Sequence, residues 1–175
     1  RTGLIFLFLV VSKSLWGLTE DELKWKKEYY RLKASKMDQK AKTDSVFRVL
    51  YSISISNPAL LEELSTDFLN YSKKKNQVYG KAYLAKTLSY STGVALKETS
   101  YYCKMSIPLL EKEKDSVALC FVNQILAGVY EQSGNYGLAM KTNLRALRIA
   151  QKINNDMLIA NTYNDLGSII NEKRN

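Results

Sequence analysis

Apolar residues recur along this chain at helical spacing, and the polar residues between them mark where each helix stops. Thr19 followed three residues later by Glu22 is a capping box, and Trp25, Tyr29 and Leu32 then follow at i, i+4 and i+7 on one stripe. Val46, Val49, Leu50 and Ile53 predict a second helix from about Asp44 to Ile55. In "SNPALLEEL", Asn57 can cap and Pro58 sits in the first turn, where its missing N–H costs nothing. Leu61, Leu64, Phe68 and Leu69 carry that helix to the basic stretch "KKKN", which suits a helix C-terminus.

Five more predicted helices follow at short intervals. They run from about Gln77 to Ser91, from Val94 to Lys112 with Pro108 bending its last turns, and from Asp115 to Gln132, stopping at "SGN". The next contains Arg145 and Arg148 and stops at "KINND", and the last starts near Met157. Connections this short require antiparallel neighbours. Without a credible alternating run, the chain reads as all-α.

The first residues break the pattern. "RTGLIFLFLVVSKSLWG" puts a basic residue, an unbroken apolar run from Leu4 to Val11 and then small residues in the order of a secretory signal peptide. Eight apolar residues are too few to cross about 30 Å of hydrocarbon as a helix. Residues 1–17 are therefore expected to be a signal peptide, N-terminally incomplete because the chain starts with Arg. Ser12 and Ser14, or Leu15 and Gly17, would stand before the cleaved bond. A buried N-terminal helix and an uncleaved anchor are the alternatives. Residues 18–43 follow as an N-terminal helical segment, and residues 44–175 as the main array.

Composition narrows the functional classes. Only two prolines and eight glycines agree with helix, and an apolar fraction of 46% is ordinary for a folded protein. The net charge of +9 is spread among interleaved acids, as in "TEDELKWKKEYYRLKASKMDQK", which is the pattern of a solvated face. Nucleic acid is accordingly not an expected partner of this segment. With no histidine, Ser–His and Cys–His pairs are impossible and the commonest general base is missing. No phosphate loop, dinucleotide fingerprint or calcium loop occurs, and Glu62 and Glu63 read as solvated helix charges. Cys103 and Cys120 lie in apolar helical stretches at no zinc-binding spacing and read as buried thiols. No catalytic activity, cofactor or metal is expected.

An internal repeat organises what remains. "NQILAGVYEQSG" at 123–134 overlays "YNDLGSIINEKR" at 163–174, with Leu126 on Leu166, Ala127 on Gly167 and Tyr130 on Ile170, a shift of 40. Leu84, Ala85 and Leu88 repeat the spacing more faintly at a shift of 42. Small residues let antiparallel helices approach, large ones fill the gaps, and Gly134 permits a sharp reversal. Leu126, Ala127, Tyr130, Gly134, Tyr136, Ala139, Ala146 and Leu147 together resemble the tetratricopeptide repeat. Asn143 stands where that family usually has a large aromatic. The resemblance covers residues 44–175 and is clearest in the last third. It implies helix pairs stacked into a right-handed α-solenoid, and the long period is similar to that of repeat regions in bacterial sensory regulators.

What the resemblance implies for function is binding. The first helix of each pair would line a concave groove for a protein or peptide ligand. Its groove positions fall on Tyr79, Lys86 and Tyr90, then Phe121, Gln124, Gly128 and Glu131, then Asn161, Asn164 and Asn171. With the leader, this leads to an exported, periplasmic input region of a regulator whose output is a histidine kinase or a helix-turn-helix module. A secreted or envelope-associated scaffold and a cytoplasmic, peptide-responsive transcription regulator are the alternatives. The last helix carries apolar residues on a face that a further helix should cover, so Asn175 is expected not to be the natural end. Membrane contact is expected only through such a missing segment or an uncleaved leader.

Overall fold

A computed structural model describes residues 19–54, 56–75, 77–91 and 95–174. The expected signal peptide lies outside them. The described residues form eight helices: α1 (Glu20–Ala34), α2 (Gln39–Ser54), α3 (Pro58–Lys74), α4 (Gly80–Ser91), α5 (Leu96–Glu113), α6 (Ser116–Gln132), α7 (Tyr136–Lys152) and α8 (Asp156–Arg174). No strand occurs among the described residues, and the protein is all-α.

Local chemistry sets the helix ends. Thr19 and Glu22 make the reciprocal capping box, and Asn57 accepts the Leu60 N–H at 3.0 Å ahead of Pro58. Helix α2 starts at Gln39, five residues before the apolar period suggests. The reason is Asp38, whose Oδ1 accepts the backbone N–H groups of Lys40 and Ala41 and so caps a first turn of polar residues. Pro108 sits inside α5 on its exposed side, where a carbonyl left without a partner meets solvent.

The turns after α5, α6 and α7 are built alike. Lys114, Gly134 and Asn154 have φ of 56°, 71° and 50°, so one left-handed residue ends each helix at 20-residue intervals. The following residue's N–H reaches back to Leu110, Tyr130 and Ala150 in turn. That residue then caps the next helix: Asp115, Asn135 and Asn155 accept the N–H groups of Ala118, Leu138 and Leu158.

Each helix packs on the next, and α2, α4, α6 and α8 also touch in series, as do α1 and α3. Among the described residues no Cα of α3 comes within 8 Å of α5, nor any of α5 within 8 Å of α7. The even-numbered helices from α2 to α8 therefore form a continuous inner layer, with α3, α5 and α7 outside it. Tyr29, Leu50, Ile53, Leu61, Leu64 and Phe68 fill the core of the first four helices. Leu84, Cys103, Leu110 and Val122 form a second core, and Cys120, Ala146, Ala150 and Leu158 a third. Helices α4 and α5 meet closely at Gly80, where an added Cβ would lie 2.4 Å from Leu110 Cγ. Ser106 Oγ donates to the Gly80 carbonyl at 2.7 Å across the same contact.

Candidate functional site

The inner layer carries an open groove of about 550 Å³. Helix α2 contributes Asp44, Phe47, Arg48 and Tyr51, α4 contributes Lys81, α6 contributes Val117 and Phe121, and α8 contributes Met157. One groove thus touches the inner layer from α2 to α8. The rings agree: Tyr51 and Phe121, from helices that do not themselves pack together, meet edge to face at 5.7 Å in front of α4. Phe47 and Tyr51 are one turn apart on a face of α2 that flanks the buried Val46, Leu50 and Ile53 stripe, and Phe47 also packs against that core.

The walls are apolar and wet. Val117 is 55% exposed, Met157 68% and Tyr51 45%, a grouping that burial within the chain does not account for. One end is rigidly polar. Lys81 Nζ lies 2.7 Å from Asp44 and 2.8 Å from Asp115, tying α2, α4 and the start of α6 together. Burial would lower the Lys81 pKa and is the largest single influence, but the hydrogen bonds that its ammonium donates to Asp115 and Asp44 outweigh it and the pKa is raised. Asp115 does two tasks, since its other oxygen caps α6. Arg48 lines the same groove and has no ion-pair partner among the described residues.

Of the expected groove positions, Phe121 is in this cavity and the others are elsewhere. Lys86 is buried, donating to Thr66 at 2.7 Å with its ammonium over the Tyr90 ring. Tyr90 stacks on Tyr102 with centroids 5.6 Å apart, on the side of α4 that faces α3 and α5. Gln124 donates to Thr162 at 2.9 Å and Glu131 accepts from Ser168 at 2.7 Å, so both serve the contact between α6 and α8. Tyr79 is half-buried just before α4, Gly128 has open space around it, and Asn161, Asn164 and Asn171 are exposed along α8.

The repeat-packing positions are also distributed by what covers them. Ala127, Ala139 and Ala146 are buried, as are Leu126, Leu147 and Leu166, while Tyr130 and Tyr136 are half-buried and Gly167 is exposed. Asn143 is fully buried; its amide donates to the Thr162 carbonyl at 3.2 Å and its own oxygen has no partner among the described residues. Cys103 and Cys120 are free and buried, and burial pushes their thiols up to about 12 and about 11, far from a reactive thiolate.

Among the described residues no group of three or more His, Cys, Asp or Glu is placed to hold a metal ion, and no helix is long and apolar enough to cross a membrane. The chain matches no family model, no curated protein and no solved structure.

Proposed function

We propose that this chain is a tetratricopeptide-type helical array that binds a protein segment in the groove of its inner layer. The observation that carries the reading is the ring of exposed apolar side chains (Tyr51, Val117, Met157 and the half-buried Phe121) around an open cavity with a fixed ionic end. A cavity of about 550 Å³ suits one or two bulky apolar anchors. The Lys81 pairs hold one rim so that ordering it is not charged to the ligand. The 40-residue repeat and the alternation of inner and outer helices support the solenoid.

Selection of binders from a random peptide library tests this. Selected peptides should carry bulky apolar anchors and bind at least about tenfold more weakly to a Tyr51→Glu, Val117→Asp double variant, because two charges would face a desolvated ligand. Equal binding to the variant, or a selection that returns no binder, would overturn the reading. We place the array in the periplasm as the input region of a regulator. That half of the proposal is supported by the order of basic, apolar and small residues in 1–17. A mature N-terminus near Leu15 or Leu18 is the expected result; retention in the cytoplasm would remove it.

A further inference from the structure

Four charged residues line the groove, and only Arg48 has no partner among the described residues. Its spacing predicts otherwise. Asp44 stands one turn before it on α2, the i, i+4 placement in which a carboxylate and a guanidinium pair on a helix. Elsewhere Arg31 forks onto Glu28 through two bonds of 2.7 Å, and Arg145 reaches Glu111. At the groove, Asp44 turns instead to Lys81 of α4, whose ammonium also meets Asp115. Those three side chains are partly buried, with exposures of 33%, 18% and 17% for Asp44, Lys81 and Asp115. Arg48 is left exposed, its five guanidinium N–H donors without a partner among the described residues.

The surroundings of Arg48 match one kind of ligand group. Phe47 precedes it, and Tyr51 is its i+3 neighbour, with Cβ atoms about 5–6 Å apart. A carboxylate beside an apolar side chain suits that setting. The planar fork takes both oxygens, and the anchor that fills the groove keeps water from the pair. The Lys81 trio carries one excess negative charge, on carboxylates that Lys81 already engages. A ligand acid is therefore favoured at Arg48 and disfavoured at the Lys81 end, which gives the segment one orientation.

We propose that the groove recognises a segment of a partner protein that carries an Asp or Glu within one or two residues of its bulky apolar anchor, and that Arg48 sets this preference. This rests on the groove being the binding site. An extended segment advances about 3.3 Å per residue, so one or two residues span the distance from Arg48 to Tyr51. The apolar residues 1–18 carry only Arg1 and Lys13 as charges, so they lack the acid that such an occupant needs.

The test is parallel selection of one random peptide library on the purified chain and on its Arg48→Glu variant. The parent should enrich Asp or Glu within two positions of the apolar anchor, and Arg48→Glu should enrich Lys or Arg there. The parent's strongest peptide should bind Arg48→Gln at least about tenfold more weakly, and its acid-to-amide form should bind the parent and Arg48→Gln alike. A guanidinium that only supported the helix would not reverse a charge preference. Anchors without an acid in the parent's pool, a basic preference there, or binding unchanged by Arg48→Gln overturns this inference and leaves the groove reading in place. Equal binding to the Tyr51→Glu, Val117→Asp variant, or a selection without binders, removes the groove reading and this inference with it.

Discussion

The first four helices and the last four solve the same packing problem differently. In α1 to α4 the space between helices is filled by large side chains, with Tyr29 and Phe68 among the most buried. Polar ties then fix the outside: Tyr29 donates to Asp67 at 2.6 Å, Lys33 reaches the same carboxylate at 2.5 Å, and Lys26 meets Glu63. From α6 onward the helices approach on alanines and a cysteine, and the turns repeat every 20 residues. A core filled by volume is sensitive to what is removed. A seam closed by small residues is sensitive to what is added.

The largest expected effects test that asymmetry directly. Phe68→Ala should cost about 3–5 kcal/mol, the range for emptying a buried aromatic site. Ala146→Leu, which adds volume where Cys120 already touches the backbone, should cost about 1–3 kcal/mol. The control is Ala160→Leu at the bare counterpart of Cys120, which should stay within about 0.5 kcal/mol. Urea denaturation of the three variants is the measurement. A harmless Ala146→Leu would mean that the seam is loose, and the contrast between the halves would collapse.

The same asymmetry explains how much of the molecule is legible in its sequence. A small residue at Ala127 and a glycine at Gly134 have few other reasons to recur with Leu126 and Tyr130, so the C-terminal helix pairs are readable from spacing. The 20-residue turn is less visible because Lys114 fills the left-handed position that glycine fills at 134. The groove was harder still. Phe47 and Tyr51 lie at i, i+4 on α2, beside its Val46–Leu50–Ile53 stripe, which is a signal of a second apolar face. Carrying groove positions over from the repeat pattern instead gave Lys86 and Tyr90, which the neighbouring α3 and α5 engage. Pattern spacing records how a helix packs on its partner; it does not record how far an adjacent helix leans over it.

Asp115 joins the two halves and sharpens the comparison at intermediate scale. Asn135→Ala and Asn155→Ala each remove only a helix cap and should cost about 1 kcal/mol. Asp115→Ala removes the same cap and one of the two carboxylates on a partly buried Lys81, so it should cost more than either. Thermal melts of the three variants decide the order. Equal losses would mean that the Lys81 pair contributes nothing, and that the groove's ionic end is not held rigid by it.

Acid titration gives the smallest effect and the cleanest sign. Burial would raise the Asp67 pKa, but hydrogen bonds from Lys33 and Tyr29 prevail and lower it. Its contribution is present above the unfolded value of 3.8 and is lost as pH falls through the lower folded value. Asp165 on α8 is the reverse case, raised first by burial and then by Glu131 of α6. It destabilises the fold at neutral pH, and that penalty disappears as pH falls through its raised folded value toward 3.8. Asp67→Asn should therefore lower the Tm at about pH 7, and Asp165→Asn should raise it. The Asp165 difference should vanish at about pH 2, below both its folded and unfolded values, and the Asp67 difference should shrink as pH falls below 3.8. If both substitutions shift the Tm in the same direction at neutral pH, the polar ties of the N-terminal helices are not what distinguishes them from the crowded acids between α6 and α8.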